Sequence, residues 1–198
     1  MSRSPLTRET VIADAAALAD EAGFDEVTLS AVARRLGVQA PSLYSHVRDL
    51  AALRDGISAL ALAELGRRVA LAIGGRSGRA ALRGLADAHR GLARDRPGLW
   101  RSLQRRVGAS VAAAPEARTL VALNDAVLDG YGLPQREHVH ATRMIGSVVN
   151  GFLALESTGS FDHSDPAPDV SWARILDALD ALLREWPSTE PTAEDPHA

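Results

Sequence analysis

Residues 28–47, TLSAVARRLGVQAPSLYSHV, read as two short helices joined by a tight turn. Val32, Ala33 and Leu36 recur at helical spacing and share one face of the first helix. Gly37 stops that helix, because glycine accepts a left-handed backbone without a steric penalty. Val38 plugs the turn, and Pro41 suits the first turn of a new helix, where a missing N–H costs nothing. Leu43 and Val47 lie four apart and point back at the first helix, which leaves Gln39, Ala40, Ser42, Tyr44, Ser45 and His46 on the exposed side. An apolar clamp behind a polar outer helix is the layout of a helix-turn-helix, whose second helix enters the DNA major groove.

Upstream, Thr7 is a good N-cap for a helix running to about Ala22, with Val11, Ile12, Ala15, Leu18 and Ala19 as its apolar stripe. Gly23 ends it, Phe24 and Val27 pack the corner, and Thr28 caps the next helix. The result is a small three-helix bundle that holds the recognition segment steady. Residues 1–6 read as a loose arm, from which Arg3 could reach a groove or a phosphate.

Downstream, Leu50 opens a long amphipathic run through Leu53, Ile57, Leu60, Leu65, Val69 and Ile73, closed by Gly74-Gly75. At 1.5 Å per residue it spans about 30 Å or more, enough to leave the bundle and enter a second unit. Further helices are expected over 76–96, around 99–106, and over 116–131, 135–157 and 169–186, with a soft loop between Gly108 and Pro115 and a polar loop over 159–168. The run Trp172, Ile175, Leu176, Leu179, Leu182, Leu183, Trp186 repeats at three and four residues. Strand signals are negligible, so the fold class is all-α: an N-terminal helix-turn-helix unit over 1–48, a larger helical ligand-binding and dimerisation unit over 49–186, and a disordered tail over 187–198.

Hydrophobic residues are 46% of the 198, ample for a core, whereas aromatics are 4%, so Ala, Leu and Val must build it. The absence of cysteine excludes disulfides and thiolate metal sites. The opening MSRSPLTRET has no apolar run for a signal peptide, and no stretch reaches the roughly 18 apolar residues of a membrane span. A cytoplasmic protein without membrane contact is expected. Net charge is −3, and residues 1–48 hold five arginines against six acids, which weighs against DNA binding unless the acids face away from a local positive surface. All 22 basic residues are arginine, which reads most simply as a GC-rich genome.

The segment GVQAPSLYSHV resembles the recognition segment of the TetR family of bacterial transcription regulators. In that family a Gly-Val turn leads to a short helix ending in Leu-Tyr-x-His-Phe or Leu-Tyr-x-His-Val. Gly37-Val38 and Leu43-Tyr44-Ser45-His46-Val47 match it, as does Thr28 at the start of the preceding helix. The likeness is strong over roughly residues 7–60 and diffuse beyond; ATRMIGSVVNGFLALESTG is similar, more weakly, to the C-terminal domain of one TetR subgroup. The family carries a phosphate-binding lysine at the start of its fourth helix. Leu50 stands there in this chain, with Arg48 as the nearby cation.

The resemblance implies DNA contact by Thr28, Gln39, Ala40, Pro41, Ser42, Tyr44, His46 and Arg48. It also implies a homodimer through helices 135–157 and 169–186, placing two recognition helices about 34 Å apart on a palindromic operator. The 50–73 helix becomes a connecting lever. A mostly apolar pocket for an unknown small-molecule inducer is expected among the C-terminal helices, with His89, Trp100, Leu103, Gln104, Leu123, Arg143, Val149 and Phe152 as candidate lining. For each of these, core packing is the plainer reading. No catalytic, cofactor or metal pattern is present. His138 and His140 lie two apart and do not share a helix face, and Asp162, His163 and Asp165 read as a solvated turn. A ligand-responsive repressor is the expected function. An all-α small-molecule-binding protein or enzyme without a DNA role, or a regulator without an inducer, are the alternatives.

Overall fold

The computed structural model describes residues 6–187, so the expected arm with Arg3 and the tail beyond Pro187 lie outside the described residues. Among the described residues the fold is all-helical: nine α-helices and three short 3-10 turns, without a strand.

Helix α1 spans Arg8–Ala22. Thr7 caps it reciprocally: its hydroxyl accepts the Thr10 N–H at 3.2 Å, and the Thr10 hydroxyl accepts the Thr7 N–H at 2.8 Å. A 3-10 turn over Phe24–Glu26 leads to α2, Leu29–Leu36, capped by the Thr28 hydroxyl on the Ala31 N–H at 3.1 Å. Gly37 ends α2 with φ 64° and ψ 37°, the left-handed region that a side chain disfavours. The recognition segment differs from the expected α-helix: Ala40–Ser45 winds as a 3-10 helix, with the Ser42 N–H on the Gln39 carbonyl and the His46 N–H on the Leu43 carbonyl. Short helical connectors are where 3-10 winding is common, and here i→i+3 bonds close the turns between Gln39 and His46.

Helix α3 spans Leu50–Ile73, as the sequence pattern predicts, with the Asp49 carboxylate capping the Ala52 N–H at 2.7 Å. Its buried stripe runs Leu53, Ile57, Ala61, Leu65, Val69 at steps of four, so Leu60 falls outside it and is exposed. Around α3 pack α4 (Gly78–Asp95), α5 (Pro97–Leu103) and α7 (Pro115–Asp129). A short α6, Ala109–Ala112, lies where a loop was expected. Helices α8 (His138–Ser157) and α9 (Pro168–Arg184) complete the chain, with a 3-10 turn over Gln135–Glu137 before α8. Proline begins α5, α7 and α9, where its fixed φ is already helical.

Two junctions fix the arrangement. At the first, α5 lies flush on α1: a Cβ on Gly98 would fall 2.3 Å from the Ala19 carbonyl carbon, so glycine permits the approach. At the second, Arg90 of α4 is buried, bonded to Glu156 of α8 and Asp169 of α9, and its guanidinium lies 5.4 Å from the Phe152 ring and 5.1 Å from the Trp172 ring. A buried guanidinium that kept its charge unpaired would cost several kcal/mol, roughly; here two carboxylates and two ring faces replace water. His138 is buried as well, with Nδ1 2.9 Å from the Asp125 carboxylate and Nε2 3.1 Å from the Leu133 carbonyl, tying the start of α8 to α7.

Candidate nucleic-acid interface and ligand cavity

Leu43 and Val47 are buried at the back of the recognition segment, as their spacing requires. Outward, Gln39, Pro41, Ser42 and Ser45 are exposed, and Tyr44 keeps 58% of its surface accessible. Thr28 is exposed at the α2 N-terminus, a natural phosphate position. Two residues leave this face. Ala40 is half-buried against the core. His46 is half-buried and lines a crevice with Arg8, Asp55 and Ser110, turned toward α1, α3 and α6.

The charge balance resolves locally. Asp14 and Glu21 both bind Arg35, and Asp20 binds Arg96 of the other unit. Three of the six acids are thereby paired, Glu9, Asp25 and Glu26 stay exposed, and so do Arg8 and Arg34. Arg48 is 84% exposed in its side chain and holds Asp49 at 2.9 Å, an ion pair that keeps the guanidinium beside the α3 N-terminus. Leu50 is half-buried against the core and offers no cation.

In the second unit two adjoining cavities open between helices. One, of about 310 Å³, is lined by Leu62, Leu65, His89, Trp100, Leu103, Gln104 and Asn150 among others. The other, of about 120 Å³, is lined by Leu85, His89, Asn124, Thr142, Ile145, Gly146, Val149 and Asn150 among others. His89 and Asn150 belong to both and form the partition. The Gln104 amide donates to the Asn150 carbonyl oxygen at 3.1 Å, and the Asn150 amide donates to the Gly146 carbonyl at 2.9 Å. His89 Nδ1 donates to the Leu85 carbonyl at 2.8 Å, and burial pushes the imidazole below its ordinary range.

This arrangement matches known proteins. Residues 11–54 match the family described as bacterial regulatory proteins, tetR family, and residues 82–179 match the tetracyclin repressor-like C-terminal domain. An HTH-type transcriptional regulator of Mycobacterium tuberculosis is 31% identical over 162 residues, covering 81% of this chain and 74% of that protein. The chain belongs to the TetR family.

A second relative, an HTH-type transcriptional regulator of Bacillus subtilis, is 26% identical over 91% of this chain and 95% of its own length. A solved TetR variant from Acinetobacter baumannii AYE, in complex with minocycline, superposes with a TM-score of 0.72 at 28% identity, covering 93% of this chain and 100% of that one. The chain is thus a TetR-family transcriptional regulator with a DNA-binding domain, and not an enzyme. No helix among the described residues is long and apolar enough to cross a membrane.

Of the candidate ligand residues, the structure brings His89, Trp100, Leu103 and Gln104 to the larger cavity and His89 and Val149 to the smaller. Leu123, Arg143 and Phe152 line neither. Leu123 packs against the core from α7. Arg143 points outward from α8 and is exposed. Phe152 is buried against Phe161 and Trp172, with ring centroids 4.9 and 5.0 Å away, so it is core. Sequence reasoning missed Asn124, Thr142 and Asn150. A signal for two of them existed: Thr142, Ile145, Gly146, Val149 and Asn150 share one face of α8 at helical spacing.

Proposed function

We propose that this TetR-family chain is a homodimeric repressor, bound to a palindromic operator and released by a small-molecule inducer. The observation that carries the reading is the double attachment of α5. Its Trp100 and Leu103 line the larger cavity, while its N-terminal N–H groups at Gly98 and Leu99 are held by the Asp20 carboxylate of α1, at 2.9 and 3.2 Å. A molecule that displaces α5 therefore acts on the helix that braces the DNA-reading unit. Helix α3, packed on both α1 and α5, is the second link.

Dimerisation draws support from the outer faces of α8 and α9, where Val139, Leu155, Val170 and Leu182 are each about half exposed. Large aliphatics left in water on two adjacent helices favour burial against a symmetry mate. Two recognition segments about 34 Å apart then meet successive major grooves. Thermodynamically, the inducer must bind the DNA-incompetent state more tightly than the DNA-bound one.

The test is a gel-shift titration with a palindromic fragment from the gene's own upstream region. Retardation that weakens with salt, by a species of two chains in light scattering, supports the reading. A single-chain species, or retardation indifferent to salt, would sink it.

A further inference from the structure

We infer that the paired cavities around His89 take an uncharged, largely apolar molecule that presents a hydroxyl or N–H donor to the His89 Nε2. The inference rests on the reading of these cavities as the inducer site and names the chemistry of the guest.

The first argument is the hydrogen-bond ledger of the lining. A carbonyl oxygen can only accept, so the 2.8 Å contact between His89 Nδ1 and the Leu85 carbonyl puts a proton on Nδ1. Burial disfavours the second proton, so the ring is neutral and Nε2 carries a bare lone pair. That lone pair has no protein donor among the described residues. The side-chain amides of the lining are partly engaged with the protein. Asn124 donates to the Leu120 carbonyl at 2.8 Å, Asn150 to Gly146, and Gln104 to Asn150, so each spends an N–H on the protein. Each amide keeps a second N–H and spare acceptor capacity on its oxygen, so it can serve either kind of guest group; the group that fixes the sense is the His89 Nε2, which can only accept and needs a donor from the guest.

The second argument is charge. Among the residues that line the smaller cavity none is a carboxylate or a guanidinium. The larger has Arg105, whose guanidinium is paired with Asp55 at 2.9 Å. An anion or a cation placed here would lose its water without gaining a free counter-charge, which the low-dielectric setting penalises heavily. The leucines, Val149, Ile145 and the Trp100 ring supply the apolar body of the site. Trp100, which lines the larger cavity, also has a buried indole N–H without a protein partner among the described residues, a spare donor for a guest carbonyl.

Isothermal titration calorimetry on the full chain, with three probes of one skeleton, tests this. Estrone offers a neutral phenol and a ketone on an apolar frame, its methyl ether loses the donor, and its sulfate adds a charge. Estrone is expected to bind, the ether about tenfold more weakly, the size of one net hydrogen bond, and the sulfate without measurable heat. His89→Phe should remove the gap between estrone and ether, and His89→Gln, which keeps an acceptor, should restore it. Circular dichroism melts establish that each variant folds. Equal affinity for phenol and ether, tighter binding of the sulfate, no binding of estrone, or a gap that survives in His89→Phe overturns the inference. The same probes added to the operator complex separate the two readings. Binding with the expected ranking but no release of DNA leaves the guest chemistry standing and removes induction; release without that ranking does the reverse.

Discussion

The Asp20 carboxylate accepts the backbone N–H of Gly98 at 2.9 Å, so a side chain of the first helix closes the start of the fifth. The same carboxylate accepts the Leu99 N–H and binds the Arg96 guanidinium. An acid at a helix N-terminus meets both open N–H groups and the positive end of the helix dipole. Asp20→Ala is expected to keep the dimer and operator affinity within severalfold. The inducer concentration for half-release should shift by about tenfold, within the usual range of coupling free energies. Gel-shift titrations with and without inducer measure both quantities; an unchanged midpoint would rule out this contact as the link.

Tyr44 and Leu43 are neighbours with opposite fates. Tyr44 is 58% exposed and Leu43 is fully buried. Tyr44→Ala should weaken operator binding by about tenfold with little change in melting temperature, since exposed truncations cost little stability. Leu43→Ala should cost about 2–5 kcal/mol, because it opens a cavity behind the recognition segment. Thermal melts and gel shifts on both variants read the contrast, and an unchanged affinity in Tyr44→Ala would misplace the reader.

Leu50 stands where the resemblance places a phosphate-binding lysine, and Arg48 is the nearby cation. If its guanidinium, exposed beside the α3 cap, meets a phosphate, Arg48→Ala should reduce the slope of log affinity against log salt by about one. Leu50→Lys should raise that slope by about one. Fluorescence anisotropy across a salt series gives the slopes, and identical values for wild type and Arg48→Ala would exclude the phosphate contact.

Acid should loosen the junction of α4, α8 and α9. Hydrogen bonds from Arg90, and after it Arg94, hold the Glu156 carboxyl below its ordinary value of 4.5 against the opposing effect of burial. A lowered carboxylate contributes its full stabilisation above about pH 4.5 and loses it as pH falls through the folded value. His89 adds a loss in the same direction that begins higher: it is neutral when folded and takes a proton more readily when unfolded, so stability declines below its ordinary value of 6.5. Glu156→Gln should cost about 3 kcal/mol at neutral pH, by leaving Arg90 short of a counter-charge, and should flatten the acid limb below pH 4.5. Urea melts from pH 7 down to pH 3 test this; parallel limbs in the two proteins would contradict it.

Where hydrophobic spacing was strong, the sequence carried the fold. The α3 bounds at Leu50 and Ile73 and the buried Leu43 and Val47 follow from it directly. Helix α6 did not, because four residues between a glycine and a proline carry too little periodicity to read. The 3-10 winding of Ala40–Ser45 was illegible for a related reason, since six residues are too few for apolar spacing to separate a period of 3.0 from one of 3.6. The cavity was half legible. His89 and Trp100 stand out as rare residues on apolar faces, but Phe152 shares that distinction and is core, three residues beyond Val149 and turned onto α9. Asn124 and Asn150 were hidden because an amide on a helix reads as surface until a neighbouring helix covers it.

Asn150, which with His89 separates the two chambers, is held from the larger one by a second amide, Gln104. A neutral bond of that kind contributes about 1 kcal/mol, less than a modest guest gains by filling the space behind it. If these chambers are the inducer site, their capacity turns on side chains rather than on the framework, and exchanging either amide for a smaller residue should widen the range of guests admitted without touching the DNA-reading unit.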